Sequence, residues 1–90
     1  MDLKNLRKEI DAVDRQIVAL FEKRMEISER IAAYKQKEGM PIRDEAREAE
    51  KIRQVQNLTH TDFNRQHIEE LYTLFISLSR KLQEELAKKS

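Results

Sequence analysis

The first 38 residues of this 90-residue chain contain neither glycine nor proline, and their apolar residues recur at alternating intervals of three and four. One set of positions in this repeat is Leu3, Ile10, Ile17, Arg24 and Ile31, and the other is Leu6, Val13, Leu20, Ile27 and Tyr34. We call these ten positions the seam. Such spacing is typical of a helix that packs lengthwise against other helices. The repeat therefore predicts a single helix from about Leu3 to about Lys37, roughly 50 Å long.

A helix of that length is too long for one small domain to cover, because a compact domain of 100 residues has a radius of gyration of only about 13 Å. The seam therefore predicts a second copy of the chain and a helical homodimer. Composition agrees with helices: 39% of the residues are charged and 6% are aromatic, and there is one glycine and one proline. A β-rich fold of this length would need turn residues far more often.

The rest of the chain predicts two further helices. Gly39 and Pro41 end the first one, and Asp44 is a suitable N-cap for the second, which we expect to end near Asn57. Its narrow apolar face is Ala46, Ala49, Ile52 and Val55. Thr61 or Asp62 caps the third helix, whose apolar stripe is Ile68, Leu71, Phe75, Leu78, Leu82 and Leu86. The prediction is an all-α fold with three helices per chain in one domain, residues 1–90, within an intertwined homodimer.

Several classes of function are disfavoured by composition. The chain has no cysteine, no apolar run of the ~18 residues that a membrane span needs, and no signal-peptide core after Met1. A cytoplasmic protein is expected. Basic and acidic residues, 18 and 17, are mixed along the chain, which disfavours a nucleic-acid binder. His60 and His67 are read as structural or surface residues, and neither a metal site nor a cofactor is predicted.

Arg24 is the anomaly of the seam, because its four counterparts are leucine or isoleucine. Its side chain could reach solvent or pair with a buried carboxylate. Alternatively, the seam opens around an anionic ligand that the planar guanidinium grips. Both interpretations remain open from the sequence. A helical scaffold without enzymatic activity would also explain the apolar repeat, but it would leave the arginine at position 24 unexplained.

Other polar residues indicate a ligand site only in combination with Arg24. Lys35 follows it by eleven residues on nearly the same helix face, whereas Arg7 precedes it by seventeen, about 25 Å along the axis. Arg7 could therefore join Arg24 only from an antiparallel partner. Arg47 and Glu48 follow the cap at Asp44, and Ser79 and Gln83 flank the stripe of the third helix. Taken singly, each of these is most often a surface charge, a cap or the edge of a stripe.

The ordered set resembles the helical AroQ class of chorismate mutases. The resemblance begins at Leu6-Arg7-Lys8-Glu9-Ile10-Asp11 and runs through Asp14, Leu20, Arg24 and Lys35. It continues with Pro41-Ile42-Arg43-Asp44-Glu45-Ala46-Arg47-Glu48 and closes with Ser79 and Gln83. Any one fragment is weak, but these intervals in a chain of this length are specific.

The resemblance implies an isomerase that converts chorismate to prephenate on the route to phenylalanine and tyrosine, without a cofactor. It also implies roles for single residues. Arg24 and the partner subunit's Arg7 would hold the two substrate carboxylates, and Lys35 and Gln83 would donate to the ether oxygen. Glu48 and the backbone near Asp44 would contact the ring hydroxyl, while Arg47 and Ser79 would complete the pocket.

The reaction expected from this resemblance is an intramolecular 3,3 (Claisen) rearrangement, which needs restraint of the substrate and stabilisation of charge on the ether oxygen. The catalytic residues would be Arg24, Lys35 and Gln83. Because the amide of Gln83 needs no protonation, activity should persist through neutral pH. An isochorismate-pyruvate lyase on the same scaffold is the rival enzyme, and Glu48 with Asp44 favours the mutase. Since the sequence ends at Ser90, we expect any partner enzyme to be a separate protein.

Overall fold

A computed structural model describes residues 2–89 of the chain. It contains helices α1 (Leu3–Lys37), α2 (Glu45–Leu58) and α3 (Asp62–Lys88), and no strand occurs within the described range. The predicted all-α class with a long, a short and a medium helix is therefore confirmed. The single domain expected over residues 1–90 includes Met1 and Ser90, which lie outside the described residues, and it stays a prediction.

The ends of α1 follow from local backbone chemistry. At its start, the side chain of Asp2 accepts a hydrogen bond from the backbone N–H of Asn5 at 2.8 Å. At its end, Gly39 has a φ of +65°, a conformation that glycine adopts without a steric penalty. The N–H of Met40 then donates back to the carbonyl of Lys35 at 2.8 Å. This closure turns the chain sharply beside Lys35 and confirms the predicted bounds of the helix.

Side-chain caps also begin the two shorter helices. Asp44 Oδ1 accepts from the backbone N–H of Arg47 at 3.0 Å, as the sequence predicts for an N-cap. α2 ends at Leu58, one residue later than expected. Of the two candidates for the third cap, Thr61 is the one observed, and its hydroxyl accepts the N–H three residues later at 3.1 Å.

Packing within the chain centres on α3, which is in contact with both α1 and α2. Only three of the described residues are buried: Val55, Ser28 and Gln83, of which two are polar. A single copy therefore has almost no apolar core. The polar pair lies where α1 and α3 meet, at the level of the cavity described below.

Two of the predicted apolar faces are only partly correct within the single chain. On α2, Val55 is buried and Ile52 is half-buried, but Ala46 and Ala49 are exposed. The reason is that α2 packs within the chain only against α3, so one side of its apolar strip lacks a neighbour. On α3 the predicted stripe is half-buried except for Leu71, which is 47% exposed.

The N-terminal part of α1 has no cover from its own chain. Every residue from 2 to 20 is exposed, and Phe21 is the first that is half-buried. The chain measures 55 × 26 × 14 Å with a radius of gyration of 16.4 Å, which is large for its length. Among residues 2–89, none of the helices carries an apolar segment of the length needed to cross a bilayer.

Candidate active site

The three helices line a half-open cavity of about 270 Å³ in the C-terminal half of α1. Its walls are the second half of α1, the loop and first turn that begin α2, and the second half of α3. The lining residues are Arg24, Ile31, Lys35, Ile42, Asp44, Arg47, Glu48, Ile76, Ser79, Arg80 and Gln83. Seven of the eight site residues predicted from the sequence are in this set, and Arg7 is the exception.

The charges around the cavity are unbalanced in favour of cations. Four basic side chains and two acidic ones line it, so the formal charge is 4 − 2 = +2. The whole chain, by contrast, carries only +1. A small molecule with two negative charges therefore matches the cavity better than a neutral or cationic one.

Arg24 lies against aromatic rings of α3 and not against an acid. Its guanidinium carbon is 5.6 Å from the centre of the Tyr72 ring and 5.2 Å from that of Phe75. No carboxylate lies within ion-pair distance of it in the part of the chain that is described. The single chain therefore does not pair Arg24 with a buried carboxylate, which was one of the two possibilities within the first sequence interpretation. The rings support the face of the guanidinium and leave its N–H groups for an anion.

Lys35 is held by the loop that follows α1. Its Nζ donates to the carbonyl oxygen of Ile42 at 2.7 Å, seven residues further along the chain. An ammonium has three N–H donors, and this bond uses one of them. The loop therefore fixes the position of the charge at the cavity wall and leaves two donors for a ligand.

Gln83 belongs to a short polar chain that joins α1 to α3. Its Nε2 donates to Ser79 Oγ at 3.3 Å, and Ser79 Oγ lies 2.6 Å from Ser28 Oγ. Gln83 is only 6% exposed, and its Oε1 is buried without a hydrogen-bond partner. The amide has a second Nε2 proton that this chain of bonds does not use. Gln83 is therefore held in place while it retains a neutral donor for a ligand.

The acidic residues of the cavity come from the start of α2. Asp44 uses its carboxylate as the helix cap, whereas Glu48 pairs with Arg80 of α3, with Glu48 Oε2 3.2 Å from Arg80 Nε. Arg47 directs its guanidinium towards Glu50, at 3.7 Å. The first turn of α2 thus supplies one carboxylate that faces α3 and one cation at the rim.

Arg80 is the charged residue of the cavity that sequence reasoning missed. Ile76, Arg80 and Gln83 follow one another at intervals of four and three, so they share a helix face beside the apolar stripe. That spacing was the available signal. The spacing indicates that Arg80 lines the cavity only once Gln83 is known to face it.

Arg7 is far from its own chain's cavity. It lies in the exposed part of α1 and does not line the pocket. Seventeen residues of continuous helix separate it from Arg24, about 25 Å along the axis. Within one chain, the eight predicted residues do not all come together.

Comparisons with known proteins agree with this arrangement. The family model described as chorismate mutase type II matches residues 6–84. A bifunctional chorismate mutase/prephenate dehydratase from Buchnera aphidicola is 36% identical over 89 residues, which are 98% of this chain and 23% of that protein. One of the same name from Aquifex aeolicus is 39% identical over 57 residues, 63% of this chain and 16% of that protein.

A third relative, the T-protein of Haemophilus influenzae, is 45% identical over 40 residues, which are 44% of this chain and 11% of that protein. The matched regions thus span only between a tenth and a quarter of these curated relatives. No solved structure matches the chain significantly. Because the family model covers residues 6–84, most of the sequence, the chain belongs to the chorismate mutase type II family.

Proposed function

We propose that this chain is a chorismate mutase that rearranges chorismate to prephenate in the biosynthesis of phenylalanine and tyrosine. The observation that carries the proposal is the cavity of formal charge +2, which gathers seven of the eight residues that the family resemblance assigns to substrate. Chorismate has two carboxylates, an ether oxygen and a ring hydroxyl. The cavity offers cations for the carboxylates, two hydrogen-bond donors for the ether oxygen and a carboxylate acceptor for the hydroxyl.

Substrate binding rests on two arginines from different subunits. Arg24 would grip one carboxylate through the N–H groups that its aromatic neighbours leave free. Arg7 of the partner subunit would grip the other. A homodimer is therefore part of the proposal, and it is supported by the exposed apolar seam on α1, where Leu3, Ile10 and Leu20 are all more than 60% exposed. An antiparallel partner would cover that seam and bring its own Arg7 towards Arg24.

Rate acceleration would come from restraint and from electrostatics. Holding both carboxylates selects the compact chair-like form of a flexible dianion before the barrier is reached. As the C–O bond lengthens, negative charge grows on the ether oxygen, where Lys35 and Gln83 would donate. Both donors are already fixed by the contacts to Ile42 and Ser79, so little reorganisation is needed in the transition state. No nucleophile or general base takes part in this rearrangement.

Glu48 is the residue that favours a chorismate mutase over an isochorismate-pyruvate lyase. Its carboxylate and the backbone near Asp44 would contact the 4-hydroxyl of chorismate, which isochorismate lacks at that position. Arg47 and Ser79 would complete the wall of the pocket. A cytoplasmic location accords with the proposed pathway and with the absence of a membrane-spanning helix among residues 2–89.

The test is to mix the purified protein with chorismate, follow its loss by absorbance and identify the product. We expect prephenate to account for the chorismate consumed. In a parallel reaction with isochorismate, we expect no pyruvate. Loss of isochorismate with release of pyruvate, and no reaction with chorismate, would replace the mutase with the lyase. No reaction with either compound would favour the scaffold.

A further inference from the structure

The Glu48–Arg80 contact differs from the other ion pairs within residues 2–89. The other four join residues two or three apart on the surface, and their side chains are between 48% and 92% exposed. Glu48 and Arg80, by contrast, join α2 to α3 and are 22% and 30% exposed. Both line the cavity. The pair is thus the one interhelical ion pair in the described range, and it lies where substrate would bind.

A carboxylate in this cavity creates an electrostatic problem. A ligand with two negative charges is repelled by an unpaired Glu48, although the same carboxylate is a strong acceptor for a hydroxyl group. Arg80 offsets that repulsion at close range. Without it, the formal charge of the cavity would fall from +2 to 3 − 2 = +1. The acceptor and its neutralising cation therefore belong together.

The geometry of the pair leaves the acceptor available. Arg80 Nε is 3.2 Å from Glu48 Oε2, and it is buried without a well-directed hydrogen bond. The contact is therefore chiefly one of charge. It engages one carboxylate oxygen and leaves Oε1 for a hydroxyl donor.

We infer that Arg80 is a positioning residue that holds and neutralises Glu48, so that this carboxylate accepts the substrate's hydroxyl without repelling its two carboxylates. This inference rests on the proposed function. The hydroxyl does not change its bonding during the rearrangement, so the contact strengthens binding of substrate and transition state alike. Its loss should therefore raise KM more than it lowers kcat.

A double-mutant cycle tests this role. Arg80→Met removes the charge and keeps much of the apolar stem, Glu48→Gln removes the partner's charge, and the double variant combines the two changes. Arg80→Lys restores the charge alone. Lys81→Met is the matched control, because it removes the same charge from the next residue of α3, which is exposed and does not line the cavity. Steady-state kinetics with chorismate give KM and kcat, and circular dichroism reports folding.

We expect Arg80→Met to raise KM about tenfold and to lower kcat less than about twofold. In a protein that already carries Glu48→Gln, Arg80→Met should alter KM by less than about twofold, because position 48 no longer carries a negative charge that repels the substrate. Arg80→Lys should keep KM within about threefold of the wild type, and Lys81→Met should leave it unchanged.

Other outcomes overturn the inference. If Arg80→Met lowers the melting temperature but leaves KM unchanged, the pair is structural only. If its effect on KM is equally large with Gln at position 48, Arg80 does not act through Glu48. If the wild type converts no chorismate at all, the proposed function fails and this role fails with it. If the wild type converts chorismate and Arg80→Met has the same KM as the wild type, only the role of Arg80 is wrong.

Discussion

The two halves of α1 carry the same apolar repeat but have different surroundings. From Phe21 onwards, the helix packs on α3 and supplies Arg24 and Lys35 to the cavity. Residues 2–20 are exposed throughout, and in the packed half the seam residues Ile27, Ile31 and Tyr34 remain exposed as well. The comparison shows that one chain forms the walls of the cavity, whereas the first half of its longest helix, the bare half, has no neighbour within the chain. We propose that a second copy covers that half and supplies the missing arginine.

The largest effect should follow from disrupting the bare half. Ile10 is 61% exposed in the single chain, so Ile10→Glu places no buried charge there. In the proposed dimer it would bury a carboxylate in an apolar seam, which costs several kcal/mol. We expect dissociation in light scattering and loss of chorismate turnover by at least about 10³-fold, because the partner's Arg7 no longer reaches the cavity.

Arg15→Glu is the control for that variant. It introduces the same carboxylate five residues later, about 140° around the helix from the seam. It should remain dimeric and active. A monodisperse, fully active Ile10→Glu protein would show that the bare seam has no role in assembly.

In the packed half, Arg24→Leu separates an enzyme from a scaffold. Leucine fits the apolar repeat, so the helix signal in circular dichroism should be unchanged and stability equal or higher. We expect kcat/KM for chorismate to fall about 10³-fold, since a preorganised cation is lost from one substrate carboxylate. Retained activity in a well-folded Arg24→Leu protein would contradict the proposed site.

A pH profile examines the donor on α3. The amide of Gln83 does not titrate, so wild-type kcat/KM should vary little between about pH 6 and 8. Glu at this position donates a hydrogen bond only when it is protonated. Gln83→Glu should therefore lose activity as pH rises and recover it as pH falls. A steep loss by the wild type over that interval, without unfolding, would count against Gln83 as the donor.

The smallest effect concerns the polar chain behind that donor. Ser28→Ala removes the 2.6 Å contact to Ser79 Oγ, which in turn accepts from Gln83. A typical neutral hydrogen bond contributes about 1 kcal/mol, so we expect kcat to fall about threefold to fivefold. Ser77→Ala, also on α3 but outside the cavity, should leave kcat unchanged. Equal effects from the two variants would mean that the chain does not position the amide.

Helix boundaries were the most predictable part of the fold, because they depend on local chemistry. Gly39 closes α1 through its positive φ, and Asp44 and Thr61 cap the next helices with their side chains. Each of these signals lies within a few residues of the boundary it sets. The expected burial of Ala46 and Ala49 was less reliable, because it depends on a neighbour that the single chain does not supply.

The cavity was predictable only as far as the family resemblance named its residues. Periodicity singled out Arg24 as an anomaly, but its stacking on Tyr72 and Phe75 is a contact between distant parts of the sequence. Arg80 was missed for the same reason, since its partner Glu48 is on another helix. Interhelical contacts depend on which faces meet, and helical spacing alone does not determine that.

Subunit complementation tests the central claim most directly. Arg7→Ala and Arg24→Leu proteins should each be nearly inactive, but a mixed dimer has one cavity with both wild-type arginines if Arg7 acts across the interface. After equal amounts are unfolded together and refolded, half the dimers are mixed and each has one intact site, so about a quarter of wild-type activity should return. If mass spectrometry finds mixed dimers and no activity returns, Arg7 does not act across the interface and the proposed site is wrong.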